Sequence, residues 1–148
     1  MLLLIASILL LVLGFYDDEQ KFNLNFKDTY FVISSLDFYW LFSILTLLLG
    51  LIYIIFEKFN VVLFSILSKI HIYGTLILLL LFFYYSYKNS IIENHKNFEE
   101  LLNQTDYNSY MIITLIVIVF LQLLLLMNIF ASTIKHIRVF VAKNKINE

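Results

Sequence analysis

The run Tyr110–Ile134 reads YMIITLIVIVFLQLLLLMNIFASTI and carries no charged side chain. A helix needs about 20 predominantly apolar residues to cross a bilayer, so this run predicts a transmembrane helix. Its most polar side chains are the amides of Gln122 and Asn128. We expect both amides to hydrogen-bond to neighbouring helices, because such bonds contribute roughly 0.6 kcal/mol each inside membranes.

The rest of the chain repeats this apolar pattern. The protein has 148 residues, of which 61% are hydrophobic, and its mean hydropathy is +0.89. A soluble domain of this size cannot bury so much apolar surface. Further apolar runs at about 1–16, 38–56 and 69–87 predict three more spans. The third is placed from Lys69 onward because a lysine at mid-membrane costs about 2.5–3.5 kcal/mol. The predicted fold is an all-α polytopic membrane protein with four transmembrane helices in a single domain, 1–148.

Lysine and arginine in the short loops predict the orientation of the chain. More of them lie on the side of the C-terminal tail than on the opposite side, so both termini are expected to face the cytoplasm. Residues 135–148 then form a basic cytoplasmic tail. The inner group is Lys58, Lys69, Lys135, Arg138, Lys143 and Lys145, and the outer group is Lys21, Lys27, Lys88 and Lys96.

The second outer loop, residues 89–109, predicts a short helix lying on the membrane surface. Ser90 and Glu93 have the spacing of a capping box. Three apolar residues then recur at helical spacing, as in an interfacial amphipathic helix: Phe98, Leu101 and Leu102. The alternative is a solvated loop without a helix.

The composition and motifs exclude several classes of function. A net charge of −1 gives no reason to expect a nucleic-acid partner. The absence of cysteine excludes disulfides, thiolate metal sites and cysteine nucleophiles. The sequence contains no P-loop, dinucleotide-binding fingerprint or metalloprotease helix. We therefore expect no catalytic residue, no metal-binding residue and no cofactor.

The segment Lys27–Asp37 reads KDTYFVISSLD. It resembles a run in subunit I of the haem–copper (cytochrome c) oxidases that reads roughly HDTYFVVAHFH. The shared core is Asp28, Thr29, Tyr30, Phe31 and Val32. Shorter similarities follow in the same order at Leu49–Lys58, Lys69–Ile72 and Ile129–Lys135. The whole chain thus resembles the last four helices of that subunit, standing alone.

This resemblance implies a degenerate homologue without haem ligands. The two histidines that close the family's run ligate haem irons, and Ser35 and Asp37 hold their positions here. Neither serine nor aspartate is among the usual axial ligands of haem. Lys27 replaces a histidine that, beside the aspartate matching Asp28, helps to hold Mg²⁺ in the family, and a lysine has no acceptor for a cation. Oxygen reduction by this chain is therefore not expected.

Two ionisable residues near the spans leave alternatives open. Asp37 lies about one turn from the outer interface, where it can reach water, or it could serve a small proton- or ion-conducting protein. His71, together with Lys69, marks the inner boundary of the third span. Alternatively, His71 could hold a haem with a partner chain, as part of a redox subunit.

The leading functional prediction is a non-catalytic membrane scaffold or accessory subunit. Its partners would be the lipid bilayer and either other membrane subunits of a respiratory complex or further copies of itself. The resemblance implies a location in the bacterial cytoplasmic (inner) membrane. The mitochondrial inner membrane is the alternative location.

Overall fold

A computed structural model describes residues 1–16, 21–26, 29–94 and 107–146. Within these residues the chain forms four α-helices and one two-stranded sheet. The helical class is confirmed for most of the described chain, and the sheet is an addition that the sequence-based prediction did not contain. The elements in chain order are α1 (Leu2–Tyr16), β1 (Lys21–Phe26), β2 (Thr29–Ser34), α2 (Ser35–Lys58), α3 (Ser65–Asn94) and α4 (Tyr107–Ile146).

Three of the described helices, α2, α3 and α4, are long and apolar enough to cross a membrane. The remaining helix, α1, has 15 residues. It is therefore about 22 Å long, which is less than the hydrocarbon core of about 30 Å. Large apolar side chains remain exposed along the helices, as lipid contact requires. The chain is a membrane protein, and its exposed apolar residues include Leu48, Leu80, Phe120 and Leu126.

The hairpin β1–β2 lies at the end of the bundle where α2 begins. Its strands pair antiparallel, with Lys21 opposite Ser34 and Phe26 opposite Thr29. The sequence of β1, KFNLNF, alternates polar and apolar residues with the period of a strand, and that of β2, TYFVIS, is rich in aromatic and β-branched residues. The strand β1 contacts α3 and α4, while β2 contacts α2. The hairpin therefore covers one end of three helices.

The helices extend beyond the predicted spans. Helix α2 begins at Ser35 rather than at residue 38, and α3 begins at Ser65 rather than at Lys69. Helix α4 continues without a break through most of the predicted tail to Ile146. Apolar composition marks only the part of a helix that can lie in lipid, whereas the backbone hydrogen bonds of the helix continue into the interface.

Ser90 does not cap a separate surface helix. It lies inside α3, where its hydroxyl donates to the carbonyl oxygen of Tyr87 at 2.9 Å. This bond back into the preceding turn is a common use of serine within a helix. The rest of the predicted surface helix, from residue 95 to residue 106, lies outside the described residues.

Small side chains bring α1 and α2 together along an antiparallel contact. The Ser43 hydroxyl donates to the carbonyl oxygen of Ser7 at 2.9 Å, and the two hydroxyls lie 3.4 Å apart. At Gly14, an added Cβ would lie only 2.8 Å from the Cβ of Tyr39. Close approach at small residues is a principal source of helix–helix affinity in lipid, where the hydrophobic effect does not drive association.

All four described helices contribute to one apolar core. Its centre is aromatic: the rings of Phe38 and Phe82 lie 5.4 Å apart, and those of Tyr39 and Phe83 stack at 4.5 Å. Such pairs add about 0.5–1.5 kcal/mol beyond the area they bury. This core lies towards the hairpin end of the bundle, and its buried members are Leu10, Phe38, Phe42, Leu79, Phe82, Met111 and Ile118.

Helix α2 ends in a Schellman motif that directs the chain towards α3. Asn60 adopts a left-handed conformation, with φ at 56°. Its N–H donates to the carbonyl oxygen of Glu57, and the N–H of Val61 donates to that of Phe56, both at 3.0 Å. Asparagine is the residue most often found here after glycine. The motif satisfies two of the carbonyl groups that the end of a helix leaves open.

Candidate functional site

The candidate functional site is a set of polar side chains near the junction of α2 and α3. At its centre His71 has no exposed surface. Its Nδ1 lies 3.1 Å from the hydroxyl of Tyr53, and its Nε2 lies 3.0 Å from Oε1 of Gln122. Because these partners come from α2 and α4, His71 joins three helices.

The partners of His71 fix the direction of each hydrogen bond. The amide nitrogen of Gln122 donates to the carbonyl oxygen of Ile118 at 3.2 Å, which turns the amide oxygen towards His71. An amide oxygen can only accept, so Nε2 of His71 carries the hydrogen. In the neutral imidazole Nδ1 is then the acceptor, and the Tyr53 hydroxyl donates to it.

A second fully buried residue, Asn128, holds the start of α3 against α4. Its Oδ1 accepts from the backbone N–H of Phe64 at 3.0 Å, and its Nδ2 lies 3.4 Å from the carbonyl oxygen of the same residue. The same Nδ2 donates to the Ser68 hydroxyl at 3.0 Å, and the Ser132 hydroxyl donates to Oδ1 at 3.3 Å. One amide thus fixes both the loop and the first turn of α3.

Ser68 lies three residues before His71, so the two groups adjoin on one face of α3. The Ser68 hydroxyl accepts from Asn128. In the other group the Tyr53 hydroxyl donates to His71, and His71 donates to Gln122. These two bonds run in one direction, and such chains polarise one another and strengthen. We call the residues Asn128, Ser68, Tyr53, His71 and Gln122 the polar chain.

A cavity of about 430 Å³ lies beside the polar chain. Tyr53, Glu57, Asn60 and Ser68 supply its polar lining. The loop between α2 and α3 supplies its apolar wall: Val61, Val62 and Leu63. The end of α2 and the loop that follows its Schellman motif therefore form this cavity.

His71 and Lys69, which together predict the inner boundary of the third span, lie in different environments. Lys69 is exposed, while His71 is fully buried two residues later. Both ring nitrogens of His71 are already hydrogen-bonded inside the bundle. Coordination of a haem iron would require one ring nitrogen to be free, so Tyr53 or Gln122 would have to be displaced. This geometry favours a structural role for His71 over the cofactor-binding alternative.

Asp37 lies in the first turn of α2 and is exposed. A carboxylate is favourable there because the N-terminus of a helix carries partial positive charge. Ser35, two residues earlier, is fully buried. Ser35 and Asp37 thus lie in different environments, since Ser35 is enclosed by the protein and Asp37 faces outward.

The residues of the segment Lys27–Asp37 that precede Ser35 include a strand. Thr29, Tyr30, Phe31 and Val32 make up most of β2, and the side chains of Phe31 and Val32 are exposed. Asp28 lies outside the described residues. Among the described residues, no group of three His, Asp or Glu side chains lies close enough to hold a metal ion.

Tyr53 and Ser68 belong to the site but are not among the residues singled out from the sequence. Tyr53 has the pattern of an interfacial aromatic, and Ser68 that of a residue between spans. The available signal was spacing: Ser68 and His71 are three residues apart, so they share one face of a helix.

Comparison of the chain with protein-family models, curated proteins and solved structures finds no match.

Proposed function

We propose that this protein is a non-catalytic integral membrane scaffold or accessory subunit. The observation that carries the proposal is the use of the buried polar groups. Both ring nitrogens of His71 and the whole amide of Asn128 are engaged in bonds between helices or to the adjoining loop. Groups used in this way hold a bundle together and offer no open position to a substrate or an iron.

The setting we propose is a respiratory complex in a bacterial cytoplasmic membrane. It rests on the resemblance of Lys27–Asp37 to the oxidase run, in which Ser35 and Asp37 replace haem ligands. The large apolar surface of α2, α3 and α4 suits contact with lipid and with other membrane subunits alike.

The proposed arrangement has four spans with both termini inside. Helices α1 and α2 pack antiparallel, as do α3 and α4, which is the packing expected of consecutive spans. The chain has no cysteine, so single-cysteine variants report their location without background. A membrane-impermeant thiol reagent should label Lys88→Cys from outside intact cells and Lys58→Cys only after lysis. Labelling of Lys58→Cys in intact cells would overturn this orientation.

The functional proposal is tested by purifying the full chain in a mild detergent. We expect no Soret absorption and co-elution of other membrane subunits of a respiratory complex, identified by mass spectrometry. A Soret band that disappears in His71→Leu would instead support the haem-binding alternative. A pure, colourless homo-oligomer would contradict the accessory role.

The alternative function, a small proton- or ion-conducting protein, depends on Asp37. The position of Asp37 does not favour this function. The carboxylate is exposed at the first turn of α2 and does not line the cavity at the other end of that helix. Asp37→Asn should leave proton or ion flux through vesicles containing the protein unchanged. A flux that is present in the native chain and lost in this variant would restore the alternative.

A further inference from the structure

The cavity between the end of α2 and the start of α3 is chemically biased towards hydrogen-bond acceptors. The hydrogen of the Tyr53 hydroxyl is engaged with His71, and the Ser68 hydroxyl accepts from Asn128. Each hydroxyl oxygen keeps a lone pair that can accept. The carboxylate of Glu57 adds an acceptor that carries negative charge, and the amide oxygen of Asn60 can turn towards the same space.

Such a lining selects a cation that donates hydrogen bonds. A primary ammonium has three N–H donors and no acceptor. It therefore matches the carboxylate of Glu57 and the oxygens beside it, and charge-assisted bonds of this kind are about twice as strong as neutral ones. A quaternary ammonium carries the same charge but has no N–H, so it cannot make these bonds.

Positive charge lies at the same end of the bundle as this lining. Lys58 follows Glu57 and Lys69 follows Ser68, and both lysines are exposed. Lys135 on α4 places its Nζ 5.6 Å from the ring centre of Phe64, at the base of the same loop. A phosphate would be favoured near these lysines, as for lipid headgroups at basic sites between helices.

Apolar side chains at the same level remain exposed. Phe59, Val62 and Ile66 are between 69% and 84% exposed. Val62 lines the cavity, Phe59 and Ile66 lie at the same end of the bundle, and in a bilayer all three would lie against acyl chains. Ammonium, phosphate and acyl chain are the parts of one molecule, an amino-phospholipid.

We propose that this cavity binds the headgroup of an ethanolamine phospholipid. The ammonium lies against Glu57 and the neighbouring oxygens of Tyr53 and Asn60, and the phosphate lies near Lys58 and Lys69. The volume of about 430 Å³ falls in the range of small-ligand pockets, roughly 300–1,000 Å³. The inference requires only that the chain lies in a membrane and is independent of the proposed accessory role.

The test compares two lipids that differ only in the methyl groups on nitrogen. Native mass spectrometry of the full chain, with equal amounts of phosphatidylethanolamine and phosphatidylcholine of identical acyl chains, should show roughly fivefold greater retention of the ethanolamine lipid. That ratio corresponds to about 1 kcal/mol, the net contribution of a single hydrogen bond. Equal retention of the two lipids would overturn the proposal.

Variants assign the preference to the cavity. Glu57→Gln, at an exposed position, should bring the ratio close to one, whereas the matched change Asp37→Asn at the other end of α2 should leave it unchanged. The double change Lys58→Gln and Lys69→Gln should weaken the retention of both lipids equally. An unchanged ratio in Glu57→Gln would place the lipid elsewhere and refute the assignment.

The same headgroup could belong to a membrane lipid or to a free soluble amine. A soluble competitor distinguishes these two ligands. Phosphoethanolamine without acyl chains should displace the lipid only at concentrations at least about a hundredfold higher, because it lacks the buried apolar area. Displacement at concentrations equal to that of the lipid would show that the cavity takes a free metabolite-like amine and would overturn the lipid assignment.

Discussion

Replacing Asn128 with leucine should be among the most damaging single changes in the bundle. The variant loses two hydrogen bonds of 3.0 Å, to the Phe64 N–H and to Ser68, and two longer bonds. At about 0.6 kcal/mol each, the two short bonds amount to roughly 1.2 kcal/mol. Leaving the N–H of Phe64 unpaired adds about 1–3 kcal/mol. We expect the free energy of unfolding to fall by about 2–4 kcal/mol.

The measurement is reversible unfolding by SDS in mixed micelles, followed by far-UV circular dichroism. Met127→Leu is the matched control, because Met127 is the neighbouring residue and its side chain is 71% exposed on the surface of the bundle. Ser132→Ala removes only the 3.3 Å bond to Asn128 and should cost less than about 0.6 kcal/mol. If Asn128→Leu falls within 0.5 kcal/mol of Met127→Leu (roughly the value of a single bond), the amide does not fasten α3 to α4 and the reasoning fails.

Three further changes test other contacts by the same unfolding assay. Gly14→Ala should weaken the α1–α2 pair more than Gly50→Ala, because the new methyl group meets the rigid Cβ of Tyr39 at 2.8 Å rather than a flexible leucine end; equal effects would contradict this. Asn60→Val should cost about 1–2 kcal/mol, since φ is 56° there, while Asn60→Gly should change stability by only a few tenths; a tolerated valine would refute the need for the left-handed turn. Tyr53→Phe removes the donor to His71 and should cost about 1 kcal/mol, and no loss would separate Tyr53 from the polar chain.

Apolar runs predicted the helices well because a membrane span requires only a run of about 20 predominantly apolar residues. They predicted helix ends less well. The strand β2 and the start of α2 lie in a stretch that was interpreted only through its resemblance to a ligand motif, although KFNLNF before it has the alternation of a strand. A short hairpin between two spans carries a weaker signal than a run of twenty apolar residues.

The candidate site was harder to predict because it depends on which helices become neighbours. Gln122 and Asn128 were recognisable as amides inside an apolar run. Their partners were not, since His71 is 51 residues from Gln122 and Phe64 is 64 residues from Asn128. His71 beside Lys69 has the pattern of an interfacial residue, and only the register of α3 against α4 shows that it is enclosed.

Close packing and hydrogen bonds between helices together explain how this bundle can be stable without a hydrophobic driving force between its helices. In lipid, association depends on close packing and on hydrogen bonds. Helix α1 relies mainly on the first, through Gly14, and makes one hydrogen bond, from the Ser43 hydroxyl to the carbonyl oxygen of Ser7. Helices α2, α3 and α4 add the second, through a chain of bonds whose members share partners. Losing one member of that chain leaves another group unpaired in a medium without water. The three long helices should therefore respond to damage as one unit, while α1 responds chiefly to steric change along its contact with α2.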